Sequence, residues 1–416
     1  MMSGKGIKRL IVVDPALARK GGHHTGLALL IATSKESDVD VTFLSHRNIS
    51  VSLKQTLESY GCIVKPIFDF NFYEIFEKEL TLNQANAYVL NAAKEYADVI
   101  RQMCEERSRG RLNFFHPSMS WEHAYALSLA LNTIGYDTDM SHLICAMFNP
   151  GVSYSGVTLD CQRKLNFEIS FRALLSSARV KLFASDMELA SIYKTLLCHQ
   201  SDVPVHPCYL SRWVNPVKEA AGRANHNSTD EEAEIILYMG DAKSDKGFLE
   251  LPDLVSQVLA ATADDQKLYI QFNIPWPDPE LELVAEKLRC CALNSNRIIL
   301  REGFISQCEV GRRLFSAKLF VFNYCNQHYQ HKSSGFLWLV IWYQTPVYFF
   351  GRSWLSREAT RLGAKVLGQG GSMESFLAAI KSPYERYAVN TSSCGYYFNL
   401  LYRDIWDWLK YVGHSK

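Results

Sequence analysis

Short apolar runs alternate with longer amphipathic stretches along nearly the whole chain. The runs are rich in Val, Ile, Leu and Phe, which is typical of strands buried on both faces of a parallel sheet. The stretches between them predict helices that cover those faces. In the first half, the predicted strands are residues 10–13, 41–44, 62–66, 112–115, 143–147 and 180–183. The predicted helices there are residues 25–32, 82–106, 121–133, 167–176 and 187–197.

A change in composition at residues 211–234 divides this pattern in two. The segment is polar and rich in turn-forming residues, which indicates a linker or domain edge. A second alternating series follows, with predicted strands at 235–239, 268–272, 297–300, 319–322 and 346–349. We therefore predict an α/β protein with two Rossmann-like domains, 1–210 and 235–390, that face each other across a cleft. An amphipathic helix within 391–416 is expected to pack back on the first domain.

Length and charge agree with this division and narrow the range of functions. A chain of 416 residues exceeds the usual size of one domain. Lys and Arg number 44 against 43 Asp and Glu, so we expect no nucleic-acid partner. Eleven cysteines without a Cys-x-x-Cys pair favour a reduced cytoplasmic protein without a zinc site. No apolar run is long enough to span a bilayer, although Trp406, Trp408 and Tyr411 would also fit a peripheral contact with the inner membrane.

The most informative chemical signal is IILYMGDAKSDKGF at residues 235–248. An apolar run ends at Gly240 and is followed by Lys243, Lys246 and Gly247 before a predicted helix. Backbone N–H groups at a helix start carry partial positive charge, and lysine ammonium groups add point charges that offset phosphates. The pattern predicts a diphosphate site, and its alternative interpretation is a solvated turn that opens an amphipathic helix.

Two loops in the first half also follow predicted strands. The first is a glycine and histidine run made of Gly21, Gly22, His23 and His24. A glycine pair lets the backbone approach a ligand closely, or simply turn. In the second loop, His116 ends a buried strand, where side chains of α/β domains face ligand crevices. Glu122 and His123 lie in the next helix, where we expect them on the surface.

The aromatic cluster FDFNFYEIF at 68–76 predicts core packing, or else an acceptor groove in which rings stack on sugars.

A third loop, in the second half, combines tyrosines with small polar residues. Tyr324 and Tyr329 follow the strand at 319–322, and the helix after them begins at Ser333, Ser334 and Gly335. Such a helix start offers N–H groups and hydroxyls to a phosphate or a sugar. Phe304 follows the strand at 297–300 in a shorter loop.

Taken in this order, the features resemble the GT-B glycosyltransferases, in particular bacterial enzymes of the retaining, family-four-like group. The resemblance extends over almost the whole chain. It implies that Lys243, Lys246 and Gly240 grip a donor diphosphate, assisted by the Gly21-Gly22 loop and the Ser333-Ser334-Gly335 helix start. It also implies that His116 contacts the donor sugar and Phe304 the nucleobase. His23, His24, Tyr324 and Tyr329 would contact the acceptor or the sugar.

The chain departs from this group at one helix. Many retaining members carry Glu-x7-Glu there, and the second Glu binds the nucleotide ribose. Aligning on Thr345-Pro346-Val347 places His331 and Leu339 at those positions, and leucine accepts no hydrogen bond from a hydroxyl. The helix is apolar on nearly all sides and is predicted to lie in the core.

The resemblance implies transfer of a sugar from a nucleoside diphosphate donor to a hydroxyl of a glycan or lipid-linked acceptor, in bacterial polysaccharide or glycoconjugate synthesis. The reaction would retain the anomeric configuration and need neither metal nor cofactor, because lysines replace a divalent cation. Two alternatives stay open. One is an inverting transferase or an epimerase with His23, His24 or His116 as general base. The other is a catalytically silent binding protein, which the missing carboxylates favour.

Overall fold

The computed structural model describes residues 9–18, 22–71, 73, 75, 80–106, 111–135, 139–153, 156–176, 179–198, 201–205, 234–274, 276–381, 406 and 409. These residues divide into two compact units. The first holds the residues up to Val205 together with Trp406 and Leu409, and the second holds Glu234 to Lys381. The predicted linker at 211–234 lies outside the described residues except for Glu234. Of the predicted C-terminal helix only Trp406 and Leu409 are described, and both are buried.

The first unit alternates strands and helices from its beginning. Its strands are β1 (Arg9–Asp14), β2 (Asp40–His46), β3 (Ile63–Phe68), β4 (Leu112–His116), β5 (Met140–Ala146) and β6 (Val180–Ala184). Its helices are α1 (Gly22–Ser34), α2 (Val51–Ser59), α3 (Leu82–Glu105), α4 (Trp121–Ile134), α5 (Cys161–Leu175) and α6 (Met187–Leu196). The strands form one parallel sheet in the order β3-β2-β1-β4-β5-β6.

The second unit repeats this order. Its strands are β7 (Ile235–Asp241), β8 (Leu268–Asn273), β9 (Ile298–Glu302), β10 (Leu319–Phe322), β11 (Val347–Phe349) and β12 (Val366–Gly368). Its helices are α7 (Leu251–Ala261), α8 (Pro279–Asn294), α9 (Gln307–Ser316), α10 (Gly335–Trp342), α11 (Trp354–Arg361) and α12 (Met373–Lys381). The sheet order is β12-β11-β10-β7-β8-β9, so the first and fourth strands are neighbours in both units. In such a sheet a ligand crevice forms at the carboxyl ends of these two strands.

Helix starts follow local sequence signals. Thr81 accepts the Gln84 N–H while the Gln84 side chain accepts the Thr81 N–H, which is a capping box at the start of α3. Asp186 caps α6 through the Leu189 N–H at 2.9 Å. Each cap satisfies backbone donors that lack a partner within the helix, and therefore fixes where the helix begins.

The predicted α/β class with two Rossmann-like units is confirmed. The strand predicted at 143–147 begins three residues earlier, at Met140, because β5 also includes polar Ser141 and His142. The helices α2, α11 and α12 and the strand β12 were not predicted. β12 has only three residues, all of them half-buried, so it lacks the apolar run that marks the other strands.

Of the buried histidines in the described part of the first unit, His116, His123 and His142 are at most 2% exposed. His116 is 1% exposed, and its Nε2 lies 3.1 Å from Nδ1 of His142. The ring of His142 stacks on Phe114 with centroids 4.6 Å apart. The surface position predicted for His123 and Glu122 is wrong, because both side chains are buried. His123 Nε2 lies 2.7 Å from the Tyr88 hydroxyl. Burial disfavours the imidazolium form, and it lowers the pKa of His123 and of His142 to about 3.

These histidines predict that acid destabilises the first unit. Above pH 6.5 each histidine is neutral in both the folded and the unfolded chain, so stability is at its full value there. Below pH 6.5 the unfolded chain takes up protons that folded His123 and His142 do not accept until about pH 3. Each of the two should therefore cost about 2 kcal/mol of stability at pH 5.

Hydrogen exchange of the β4 and β5 amides, corrected for intrinsic rates, measures this loss. His123→Gln keeps hydrogen-bonding capacity without titrating and should remove part of the pH dependence. His331→Gln replaces an exposed histidine of the second unit and serves as the control. Equal protection of β4 and β5 at pH 7 and pH 5 in the parent protein would contradict the prediction.

Candidate functional site

The carboxyl end of β7 turns at a glycine. Gly240 has φ +125°, a conformation that side chains rarely adopt. Its N–H donates to Oε1 of Gln271 at 3.0 Å, and Nε2 of Gln271 donates to the carbonyl of Gly303 at 2.7 Å. Buried Gln271 thus ties the end of β7 to the loop after β9. Phe304, the next residue of that loop, is 81% exposed. Its predicted contact with a nucleobase stays a prediction.

Lys246 folds back over the end of β7. A Cβ placed on Gly240 would lie 3.8 Å from the Lys246 Nζ atom, so the ammonium group sits close above the glycine. The side chain is half-buried, whereas Lys243 is exposed. Burial lowers the pKa of Lys246, and the charges of Lys243 and Lys332 lower it further, while Asp241 and Asp245 raise it. Cations therefore converge at this edge of the sheet.

The backbone after β7 differs from the sequence prediction. Residues Ser244–Lys246 form a single 3-10 turn, and helix α7 begins only at Leu251. The N–H groups of Lys243, Lys246 and Gly247 are engaged within the loop, the first by the Tyr238 hydroxyl at 3.2 Å and the others by carbonyls at 3.1 and 2.9 Å. The predicted helix does follow the two lysines, but it begins five residues after Lys246, so these amides do not belong to its first turn. Positive charge at this loop comes from the lysine side chains rather than from those amides.

The loop between β10 and α10 packs against the β7 loop. Gly247 has φ +75°, and a Cβ there would lie 1.9 Å from the Asn323 carbonyl oxygen. The Cys325 N–H donates to the Asp245 carbonyl at 2.9 Å. Nζ of Lys332 lies 3.0 Å from Oδ2 of Asp245, which joins residues 87 positions apart. The two loops thus form one surface at the carboxyl ends of β7 and β10.

Tyr324 and Tyr329 lie inside this second loop. Their ring centroids are 4.7 Å apart and both side chains are buried, so they support the loop more than they line a surface. Burial raises the pKa of both hydroxyls, and a hydrogen bond with Ser334 partly offsets the rise at Tyr324. Ser334 is the N-cap of α10 and makes no side-chain bond to the helix backbone. Ser333 and Gly335 flank it and are half-buried.

The carboxyl end of β1 carries a chain of hydrogen-bonded side chains. Nδ1 of His24 lies 2.8 Å from Oδ2 of Asp14, and Nε2 of His24 lies 3.0 Å from the Tyr73 hydroxyl. The same hydroxyl lies 3.1 Å from Nε2 of His23. A carboxylate only accepts hydrogen bonds, so Nδ1 of His24 donates to Asp14, and in the neutral imidazole Nε2 accepts from Tyr73. Tyr73 is 40% exposed, so this chain of groups reaches the surface of the unit.

The remaining predicted site residues differ in their placement. Gly22 begins α1, and Gly21 lies outside the described residues. His116 ends β4, as predicted, and β4 pairs with β1, but the burial of His116 argues against direct contact with a sugar. At the two positions of the missing carboxylates, His331 is exposed and Leu339 is buried in α10. The predicted core position of that helix is confirmed.

No group of His, Cys, Asp and Glu side chains in the described part of the chain is arranged to hold a metal ion. None of the helices in that part is long and apolar enough to cross a membrane.

Several solved structures share this fold. A glycosyltransferase from Rickettsia africae is 12% identical with a TM-score of 0.59, over 99% of this chain and 100% of that one. A UDP-forming trehalose-phosphate synthase from Burkholderia xenovorans is 9% identical with a TM-score of 0.58, over 98% and 100%. Anabaena Alr3699/HepE with UDP and glucose is 11% identical with a TM-score of 0.51, over 96% and 95%. No protein-family profile and no curated protein sequence matches the chain. The structural likeness shows that the chain has the GT-B fold.

Sequence reasoning missed several residues of these two surfaces. Asp245 and Lys332 pair across a long sequence separation, and neither lies in a spacing that predicts the contact. Gln271 falls within the strand predicted at residues 268–272, and a polar residue inside an apolar run is a signal that its amide has buried partners. Tyr73 belongs to the aromatic cluster at 68–76, in which no single residue stood out.

The contact of Gly247 with Asn323 predicts a strong effect of substitution. In Gly247→Ala the methyl group would overlap the Asn323 carbonyl and the backbone would also be strained, so the two loops must separate. We expect a loss of more than about 2 kcal/mol in the stability of the second unit. Gly303→Ala is the matched control, because φ there is +83° but nothing lies within 4 Å of the added carbon. That variant should lose only about 1 kcal/mol in urea unfolding. Equal losses in the two variants would show that the loops do not depend on this contact.

Proposed function

We propose that the protein binds a nucleoside diphosphate sugar and transfers the sugar to an acceptor hydroxyl. The observation that carries the proposal is the half-buried Lys246 ammonium above Gly240, at the carboxyl end of β7. That position is next to the strand-order reversal, where α/β sheets bind ligands.

The chemistry of the proposed reaction favours such a cation. When the sugar leaves, negative charge develops on the nucleoside diphosphate, and a fixed cation stabilises that charge most where water is scarce. Lys246 is half-buried and so partly removed from water, and this burial also lowers its pKa. Exposed Lys243 adds a second charge beside it.

The structures of similar fold support a nucleotide sugar as donor. One is a glycosyltransferase, one is a UDP-forming synthase, and one holds UDP and glucose. UDP is therefore the first probe for this chain. The proposal includes a glycan or lipid-linked acceptor, retention of configuration and no metal, with Lys243 and Lys246 in place of a divalent cation. It also places the protein in the cytoplasm, with a peripheral membrane contact as the alternative.

A second candidate is an inverting transferase or an epimerase. It is favoured by the 2.8 Å contact of Asp14 with His24, since a carboxylate that orients an imidazole prepares it to accept a proton. In the structure the accepting atom, Nε2 of His24, is bonded to Tyr73. A substrate hydroxyl would therefore displace the Tyr73 hydroxyl or pass its proton through it.

The first proposal predicts that Lys246→Ala loses the donor. Removing the ammonium should weaken UDP binding and lower kcat/KM for the donor by at least about 100-fold, which corresponds to about 3 kcal/mol. Lys318→Ala is the matched control, because Lys318 is also half-buried with a pKa lowered by burial, but it lies just before β10 at the opposite edge of the sheet. Calorimetry with UDP and initial rates of donor turnover measure both effects. Unchanged UDP affinity in Lys246→Ala would overturn the phosphate assignment, and a parent protein that binds no nucleotide sugar would favour the silent binding protein.

The second candidate makes a separate prediction at Asp14. If His24 is the base, Asp14→Asn should lower kcat by about 100-fold or more and leave UDP affinity unchanged, because the change disturbs only the orientation of the imidazole. Asp38→Asn changes an exposed carboxylate of the same unit and is the control. NMR of the product should then show inverted anomeric configuration, or an epimerised donor. Retained configuration together with normal turnover in Asp14→Asn would exclude this candidate.

A further inference from the structure

Two loops meet at the candidate diphosphate site, and the second contributes a lysine that no sequence pattern assigned. Lys332 follows β10 by several residues, and its Nζ lies 3.0 Å from Oδ2 of Asp245 in the β7 loop. The Lys332 side chain is 42% exposed and that of Asp245 is 18% exposed. The pair therefore lies at the border between the loop interior and solvent.

This ion pair is a poor candidate for a purely structural contact. Pairs at this exposure contribute little to folding, because solvent screens the charges and two side chains must be ordered. The loops are already joined by the Gly247 contact with Asn323 and by the Cys325 N–H bond to the Asp245 carbonyl. The other carboxylate oxygen, Oδ1 of Asp245, is buried without a hydrogen bond to any described residue. The charge of Asp245 is therefore unfavourable for folding, because one of its oxygens is buried without a hydrogen bond. Its other oxygen pairs with the Lys332 ammonium group and fixes the position of that group.

Asp245, which holds Lys332, directly precedes Lys246, whose ammonium group lies over Gly240. Lys332 and Lys243 are both near enough for their charges to act on Lys246. Nζ of Lys332 also lies 5.2 Å from the centroid of the Tyr329 ring, which limits where the side chain can turn. A diphosphate carries more negative charge than one lysine balances. Asp241 and Asp245 offset part of the positive charge that the lysines place at Lys246.

We propose that Lys332 is a third ligand of the donor diphosphate and that Asp245 is the positioning residue that holds it there. The inference rests on the proposed function, since it concerns the same diphosphate. It adds a cation from the β10–α10 loop to a site whose lysines the sequence placed in the β7 loop alone. It also assigns Asp245 a role that its charge by itself would not suggest, because an isolated carboxylate repels an anion.

The test measures the affinity of UDP, and of inorganic pyrophosphate as a probe without a base, in single and double variants. Lys332→Ala should weaken UDP binding by about tenfold or more, the usual effect of losing a charge-assisted hydrogen bond. Lys332→Arg should restore affinity to within about threefold, because the charge remains. Lys332→Ala should also reduce the preference for UDP over UMP, which a general loss of structure would not do. Lys267→Ala, a half-buried lysine before β8 at the other edge of the sheet, is the control.

Asp245→Asn separates a positioning role from a simple countercharge. If Asp245 positions Lys332, Asp245→Asn should weaken UDP binding severalfold, even though the substitution removes a negative charge that by itself repels the diphosphate. In the Lys332→Ala background the same change should have no weakening effect, since no side chain is left to hold. Thermal unfolding of each variant confirms that it is folded.

Two results would overturn the proposal: Lys332→Ala that binds UDP as the parent protein does, or Asp245→Asn that binds it more tightly. If Lys246→Ala loses UDP while Lys332→Ala does not, the proposed function stands and only the third ligand is excluded. If the parent protein binds none of UDP, GDP, ADP and pyrophosphate, both proposals fail together.

Discussion

The candidate site depends on one constraint of parallel sheets, the reversal of strand order between β7 and β10. Both strands run in the same direction and pair at Leu319 and Ile235, yet the segments after them leave toward opposite sides of the sheet. Their loops therefore meet at one edge although they are far apart in sequence. The close contact of Gly247 with Asn323 fixes that meeting, because only a residue without a side chain fits between the two backbones. Because the two loops meet, Lys246 of the β7 loop and Lys332 of the β10–α10 loop lie near each other.

Much of the fold could be predicted because the signals are local. A strand buried on both faces must be apolar at nearly every position, so β10 at Leu319–Phe322 was predicted with its observed bounds. Elements with weaker burial were missed, as at β12 (Val366–Gly368), where all three residues are only half-buried. β5 was placed too late because its first residues include Ser141 and His142, whose polar groups find partners only in the folded unit.

The candidate site was less predictable because its contacts join distant segments. Sequence spacing marked Lys243 and Lys246 as cations beside a glycine, and the structure places Lys246 over Gly240. Spacing did not show that the amides of Lys243, Lys246 and Gly247 are already hydrogen-bonded within the loop. It also did not show the chain from Asp14 through His24 to Tyr73, since these residues come from three separate segments. A side-chain network of this kind is defined by the fold and not by a local pattern.

Because the amides of Lys243, Lys246 and Gly247 already have hydrogen-bond partners, an anion at this loop would be held by lysine side chains instead. Backbone N–H groups are fixed donors that dictate where each phosphate oxygen lies, whereas lysine is a point charge on a flexible stem. A site that relies on lysines must therefore restrict their side chains by other means. Lys246 is restricted by its own burial over Gly240, and Lys332 by Asp245 and the Tyr329 ring. Lys243 is exposed and has neither restraint, so its charge acts at longer range and is more easily screened by salt. The three lysines are thus unequal, and recognition of a diphosphate at this edge would be set by the two that the surrounding structure holds in place.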